Sequence, residues 1–268
     1  MKENTIFDLD SFSTRMRIKY LEMVYGSREA LIPSVFSIID IFSYLYKSGY
    51  ILNKSDPKNL IISKGHSASI IYPFLVESKI INNSDIKYGE EGSPFGIYPN
   101  TDIPYVLCPS GSLGHGLGIA AGLSESKNKH ESPIFVFLGD GECTEGSIWE
   151  AALYIGAKNL NNIFCILDAN NRTILGDLDK TYPNIDFKKN FISLGFNVHE
   201  INGHDMNQIH KLFENLLNKE RDRPNMIYAK TVKGKGIDFM EKSHLWHNRM
   251  PSNAQLDEAI KNLQSKIQ

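Results

Sequence analysis

The chain has 268 residues, which is enough for one large domain with a sizeable core. Its 29 basic and 31 acidic side chains give a formal net charge of −2, and 41% of its residues are hydrophobic, as in ordinary globular proteins. No basic run suggests nucleic acid binding, and no apolar stretch reaches the roughly 18 residues of a transmembrane helix. The N-terminus lacks the apolar core of a signal peptide, and the 3 cysteines show no CxxC spacing. We therefore expect a cytoplasmic protein with reduced thiols.

Helices and strands are predicted to alternate along the chain. In chain order, the predicted elements are helices at 13–25 and 33–50, a strand at 59–62, a helix at 67–76, an irregular segment at 82–109, a glycine-rich helix from 111 to 122, a strand ending at 138, a helix at 145–158, a strand at 163–167, a loop at 173–183, a helix at 187–194, a strand at 197–201, a helix at 206–217, a strand at 225–231, a basic turn at 233–236 and a helix at 253–267. This alternation favours a parallel sheet covered on both faces. We expect an α/β fold, doubly wound and mainly parallel, with residues 1–268 forming a single domain.

Polar residues directly follow two of the predicted strands. Gly139-Asp140-Gly141 follows the strand that ends at Leu138, and Asn170 closely follows the strand 163–167. Ligands bind beyond the carboxyl ends of strands in open parallel sheets, so we expect a carboxylate and a carboxamide side by side there. Their oxygens are hard ligands that suit Mg²⁺ or Ca²⁺ holding a diphosphate. A plain turn is the alternative, because Asp often bonds its own backbone and Gly takes positive φ in turns.

Four separated motifs together resemble the N-terminal half of transketolase. In chain order they are Ser63-Lys64-Gly65-His66, Gly111-Ser112-Leu113-Gly114-His115-Gly116, Gly139-Asp140-Gly141 with Asn170, and Trp246-His247. The resemblance runs over about residues 15–247 and is specific, because the motifs fall in the family's order and approximate spacing. It implies the thiamine-diphosphate-binding (PP) domain, with thiamine diphosphate and Mg²⁺ or Ca²⁺ as cofactors.

The resemblance also implies which residues bind the metal and take part in catalysis. The metal ligands would be Asp140, the side chain of Asn170 and the backbone carbonyl of Arg172. His66 and His247 match imidazoles that donate hydrogen bonds to the diphosphate. The residues expected to be catalytic are His66, His247 and Glu145. The other six histidines, His204 among them, are expected to be ordinary.

Further positions match cofactor contacts of the family. With His66 and His247, the expected cofactor-binding residues are Gly111, Leu113, Gly114, Gly141, Glu142, Asn170 and Ile174. Leu113 matches a residue whose backbone bonds the aminopyrimidine ring, and Ile174 matches a side chain that lies against the thiazolium ring. Glu145 matches a carboxylate that connects two active sites at the subunit interface. The alternatives are an ordinary loop hydrophobe for Ile174 and a carboxylate favoured by a helix dipole for Glu145.

The family's chemistry implies that this chain has a partner. The C2 carbanion of the cofactor takes a two-carbon ketol unit from a ketose, or ketose phosphate, and passes it to an aldehyde. The glutamate that activates the cofactor lies in the family's pyrimidine-binding domain, and this chain stops before that domain. We therefore expect one subunit of a split transketolase-like enzyme, assembled with a second polypeptide as a two-plus-two heterotetramer. The alternatives are the α subunit of a 2-oxo acid dehydrogenase, and a non-catalytic partner that binds the cofactor.

Two positions depart from the family's pattern. Leu31 and Tyr98 stand where the family carries histidines that face the substrate. Leucine neither donates nor accepts a proton, and tyrosine donates one hydrogen bond but stays neutral at about pH 7. These changes predict a specialised ketol- or acyl-transferring enzyme rather than the transketolase of the pentose phosphate pathway.

Overall fold

Short runs of apolar residues form the strands of a central sheet. The computed structural model describes residues 3–56, 58–109, 111–126 and 132–267, and, of residues 3–7, the backbone only. Within these ranges the strands are β1 (Leu60–Ile62), β2 (Ile134–Gly139), β3 (Ile163–Ala169), β4 (Arg172–Thr173), β5 (Gly176–Asp177), β6 (Asn197–Asn202) and β7 (Asn225–Lys230). Five of them form one sheet in the order β1-β2-β3-β7-β6, in which every neighbouring pair is parallel. β4 and β5 form a separate antiparallel hairpin.

Helices cover both faces of the sheet. They are α1 (Glu3–Met23), α2 (Ile32–Phe36), α3 (Ile39–Lys47), α4 (Ile71–Glu77), α5 (Gly116–Ser126), α6 (Gly146–Ala157), α7 (Leu178–Thr181), α8 (Phe187–Ser193), α9 (Met206–Leu217), α10 (Asp238–Glu241) and α11 (Asn253–Gln264). None of the helices in the described ranges combines the length and the apolar character needed to cross a membrane. The prediction of a doubly wound, mainly parallel α/β fold is confirmed.

Alternating side chains of the central strands supply two separate cores. Along β2, Phe135 and Phe137 pack with α1, α3 and α9 on one face. Val136 and Leu138 pack with α5, α6 and α8 on the other. Successive side chains of a strand point to opposite faces, so a strand buried on both faces must be apolar throughout. The sheet is therefore a rigid base, and its carboxyl-end tips carry the polar residues.

The predicted helix at 33–50 is divided in the structure. α2 ends at Phe36 and α3 begins at Ile39. At the break, the Phe36 carbonyl accepts a hydrogen bond from Arg17 at 3.2 Å, and the Ser37 hydroxyl donates to Asp168 at 2.6 Å. Both partners are distant in the chain, so tertiary contacts stabilise a turn that the local sequence does not indicate.

Other predicted boundaries also differ from the structure, and the first helix begins at Glu3 rather than at 13. The glycine-rich helix begins at Gly116 rather than at 111, because the turn before it needs Gly114 at a φ of +85°. The predicted loop at 173–183 contains the β4–β5 hairpin and α7. Thr173 stabilises this hairpin, since its hydroxyl donates to the Gly176 carbonyl at 3.1 Å.

At Gly156, α6 packs closely against the backbone at the end of α8. A Cβ atom at this position would lie 1.7 Å from the carbonyl oxygen of Leu194. We expect Gly156→Ala to lower the free energy of unfolding by about 1–3 kcal/mol, because the backbones must separate. The control is Gly118→Ala in α5, where an added Cβ meets nothing within 4 Å. This control should raise stability by up to about 1 kcal/mol through helix propensity. Urea unfolding measures both, and equal effects would contradict the close approach.

Candidate active site

The carboxyl-end tips of β2 and β3 form the floor of an open cavity of about 380 Å³. All the predicted site residues line it except Gly111 and Gly114. The predicted site residues that line the cavity are His66, Leu113, Asp140, Gly141, Glu142, Glu145, Asn170, Arg172, Ile174 and His247. Leu31 and Tyr98, the two departures from the family pattern, line it as well. Segments that are far apart in the chain therefore meet at one edge of the sheet.

Asp140 is a buried carboxylate, with 4% of the residue exposed. One carboxylate oxygen accepts the Gly141 N–H at 2.8 Å and the other accepts the Asn171 N–H at 2.5 Å. Burial, together with the charge of Asp168, raises the pKa of Asp140 to about 6. No cationic side chain of the described ranges forms an ion pair with it. A bound cation would relieve this cost of holding an uncompensated negative charge.

The other two predicted metal ligands lie beside Asp140. The Asn170 side-chain oxygen accepts the Arg172 N–H at 3.0 Å and keeps a second lone pair. The Arg172 guanidinium donates to the Glu241 carbonyl at 2.7 Å, so its side chain is held by α10. No group of three or more His, Cys, Asp or Glu side chains in the described ranges could hold a metal. The predicted ligand set contains only one side chain of these types, that of Asp140.

Lys233 is a functional candidate that the sequence analysis missed. Only 6% of the residue is exposed, and its Nζ lies 2.8 Å from Nδ1 of His247 and 3.4 Å from the Arg172 carbonyl oxygen. Burial and the charge of Lys64 lower the pKa of Lys233 to about 8. No carboxylate of the described residues forms an ion pair with it. The only signal in the sequence was a lysine closely following the strand β7.

The two predicted histidines face each other, with 6.5 Å between their ring centroids. Burial and the charges of Lys64 and Lys233 hold the pKa of His66 well below its usual value. Burial and Lys233 likewise lower the pKa of His247 to about 4. Both imidazoles are therefore neutral at pH 7. A protonated lysine only donates, so Nδ1 of His247 accepts from Lys233 and its Nε2 carries the proton.

A buried ion pair lies beneath the cavity. Lys64 pairs with Asp168, and both are almost fully buried. Asp168 also accepts hydrogen bonds from the hydroxyls of Ser37 and Thr231. Burial would raise the pKa of Asp168, but Lys64 and the hydrogen bonds outweigh it and lower that pKa. The pair connects the tips of β1, β3 and β7 with the turn between α2 and α3.

Glu142 holds three loops together. Its carboxylate accepts the Gly114 N–H at 2.8 Å, the Gly139 N–H at 3.1 Å and the Ser63 hydroxyl at 2.5 Å. Gly114 has no room for a side chain, because a Cβ would lie 2.4 Å from the Ser147 hydroxyl oxygen. Glu142 therefore fixes the position of the glycine-rich turn against the tip of β2.

The outer part of the cavity is more apolar than its floor. Leu31 and Leu113 are half-buried there, whereas Tyr98 is 48% and Ile174 is 73% exposed. Ile174 lies between β4 and β5, in the turn of the hairpin. Glu145 is exposed at the start of α6. Ionisable groups therefore gather on the floor, and apolar and aromatic groups surround the opening.

Comparison with known proteins agrees with the resemblance seen in the motifs. A family model described as "Transketolase, thiamine diphosphate binding domain" matches residues 34–266. The chain is 28% identical to one of the subunits of the apulose-4-phosphate transketolase of Phocaeicola vulgatus, over 97% of this chain and 95% of that protein. It is 29% identical to the transketolase of Homo sapiens, over 97% of this chain and 42% of that protein.

A solved structure is similar over the same region. The crystal structure of transketolase from Campylobacter jejuni matches with a TM-score of 0.85 at 27% identity, over 98% of this chain and 43% of that chain. The chain thus spans less than half the length of the human and Campylobacter jejuni transketolases. The match favours transketolase over the 2-oxo acid dehydrogenase alternative. The chain belongs to the transketolase N-terminal family, that of the thiamine-diphosphate-binding domain.

Proposed function

We propose that this chain is the N-terminal subunit of a split, thiamine-diphosphate-dependent transketolase. The enzyme would transfer a two-carbon ketol unit from a ketose or ketose phosphate to an aldehyde. The observation that carries the proposal is the cavity floor, where the Asp140 carboxylate, the Asn170 amide, two neutral imidazoles and the buried Lys233 ammonium meet. The Phocaeicola vulgatus relative supports a split enzyme, because nearly its whole length matches and its name describes one subunit of a transketolase.

The donor set on the floor fits a divalent cation held by a diphosphate. Asp140, Asn170 and the Arg172 carbonyl offer the oxygen ligands that Mg²⁺ or Ca²⁺ prefers. Lys233 offers an ammonium group without a carboxylate partner, and the Nε2–H of His247 is a second donor for a phosphate oxygen. When bound, thiamine diphosphate supplies a carbanion nucleophile at C2. The residues of this chain bind and orient it through its diphosphate.

Two of the three carboxylates that line the cavity have other roles, which supports a partner subunit. Asp140 is assigned to the metal, and Glu142 already accepts three hydrogen bonds from the protein. Glu145 is exposed at the start of α6. We propose that the partner supplies a pyrimidine-binding domain and the activating glutamate, in a two-plus-two heterotetramer.

The opening of the cavity supports a specialised substrate. Leu31 offers no hydrogen bond, and Tyr98 offers one neutral hydroxyl. Since the Phocaeicola vulgatus relative is named for apulose 4-phosphate, that compound is the donor to test first. We expect slower turnover with xylulose 5-phosphate and ribose 5-phosphate than with the preferred pair.

The proposal is tested on the chain co-purified with its partner subunit. Calorimetric titration of thiamine diphosphate should show binding that requires Mg²⁺, and ketol transfer should require both subunits. On this proposal the chain alone should give no turnover, because the activating glutamate would come from the partner subunit. Full turnover by the isolated chain would contradict the split site, and failure of the pair to bind thiamine diphosphate would contradict the cofactor. Binding without transfer to any aldehyde would indicate the non-catalytic alternative.

A further inference from the structure

His204 lies outside the cavity, between the end of β6 and the segment that follows β7. Its Nδ1 is 2.7 Å from a carboxylate oxygen of Asp40, and its Nε2 accepts the backbone N–H of Val232 at 2.8 Å. The side chain is 9% exposed. Because Nε2 accepts a hydrogen bond, the proton of the neutral ring must be on Nδ1 and be donated to Asp40. His204 therefore bridges a carboxylate on α3 and a backbone amide just before Lys233.

Asp40 is itself firmly held. Its two oxygens accept hydrogen bonds from the Arg17 guanidinium at 2.8 and 2.7 Å. The same guanidinium donates through Nε to the Lys235 carbonyl at 3.1 Å. Burial would raise the pKa of Asp40, but Arg17 and His204 hold that pKa well below its usual range. The cluster of Arg17, Asp40 and His204 thus forms hydrogen bonds with the backbone at Val232 and at Lys235, on either side of Lys233.

These hydrogen bonds are important because the backbone of the segment 232–236 is intrinsically flexible. Gly234 and Gly236 both have positive φ, at +81° and +99°. Glycine loses more conformational entropy on ordering than any other residue. Burying the Lys233 ammonium also costs free energy, and a flexible lysine can otherwise extend its head group to water. Contacts outside the segment therefore help to keep the ammonium on the cavity floor: those of His204 and Arg17, and the Pro33 carbonyl, which accepts the Gly234 N–H at 3.0 Å.

We propose that His204, supported by Asp40 and Arg17, is a positioning residue that holds the Lys233 ammonium in the cavity for an anionic ligand. That the anion is the diphosphate of the cofactor rests on the proposed function. The anchoring of the segment 232–236 by His204 does not depend on that assignment. The two parts are therefore tested by separate measurements.

The first test is the tautomer of His204 in the full chain, without cofactor. Long-range ¹H–¹⁵N correlation of the histidine rings should show a proton on Nδ1 of His204 and none on Nε2, which accepts the Val232 N–H. Backbone hydrogen exchange should show the Val232 amide protected. A proton on Nε2 or an unprotected Val232 amide would overturn the anchoring.

The second test measures the binding of inorganic pyrophosphate with Mg²⁺ by calorimetry. His204→Leu should weaken binding about tenfold and speed exchange within 232–236, because a buried hydrogen bond is lost. His204→Gln should stay within about threefold of the native chain, since its amide can both donate and accept a hydrogen bond. The matched control is His199→Leu on β6, where the ring contacts Asn225 instead of the segment 232–236.

A double-mutant cycle separates positioning from general loss of structure. In a Lys233→Met background, His204→Leu should cost less than about twofold, because the group that His204 positions is already absent. Equal losses with and without Lys233 would overturn the proposal, as would full affinity in His204→Leu. If the native chain binds no pyrophosphate, the cofactor assignment fails, whereas the tautomer and the exchange of Val232 still decide the anchoring. If His204→Leu does not fold, the glutamine variant and the tautomer decide it.

Discussion

Replacing Asp140 with alanine is expected to remove most Mg²⁺-dependent binding of thiamine diphosphate. Asp140 is the only charged group among the three proposed metal ligands, and it is buried beside the tip of β3. Loss of a residue that merely orients a metal ligand costs about 10–100-fold in affinity, so loss of this ligand should cost at least about 100-fold. Calorimetric titration of the cofactor, with and without Mg²⁺, measures the effect in the co-purified pair.

Two further variants give this prediction its controls. Asn170→Ala removes a neutral oxygen donor, so we expect a smaller loss than with Asp140→Ala. Asp179→Ala removes an exposed carboxylate in the nearby helix α7 and should leave binding unchanged. Circular dichroism checks that Asp140→Ala folds, because the N–H groups of Gly141 and Asn171 lose their acceptor. Native affinity in a folded Asp140→Ala chain would refute the metal assignment.

Asp168→Ala should produce the largest loss of stability, about 3–5 kcal/mol in the free energy of unfolding. The substitution leaves the Lys64 ammonium buried without its counter-ion, and the hydroxyls of Ser37 and Thr231 lose their acceptor. Breaking one half of a buried pair costs more than removing both halves, because an unpaired charge stays in a medium of low dielectric. Urea unfolding monitored by circular dichroism measures the change.

An exposed ion pair supplies the comparison for Asp168. Asp238 pairs with Lys242 in and just after α10, where the two side chains are 82% and 77% exposed. Asp238→Ala should therefore change stability by less than about 1 kcal/mol. The double variant Lys64→Met with Asp168→Leu should recover part of the loss of Asp168→Ala. A loss at Asp168 no larger than that at Asp238 would show that the buried pair is not a main support of the strand tips.

Much of the architecture was predictable because it depends on local patterns. α9 was predicted at its observed bounds, since Asp205 caps its start and apolar residues recur at helical spacing. The strands β2 and β3 were predictable as short buried runs bounded by polar residues. The Gly-Asp-Gly turn and Asn170 marked the edge of the sheet at which the cavity lies. They lie together in the structure, and their role in metal binding stays a prediction.

The sequence by itself determined the alternation of strands and helices, because side-chain periodicity acts within a few residues. That alternation also determined the edge of the sheet at which the polar turns meet. Only the tertiary structure decided where Lys233 and His204 lie and why the helix at 33–50 is divided. Arg17 bonds Lys235 across 218 positions of the chain, and Lys64 pairs with Asp168 across 104. The burial of a charge depends on partners brought close by the fold, and no local pattern carries that information.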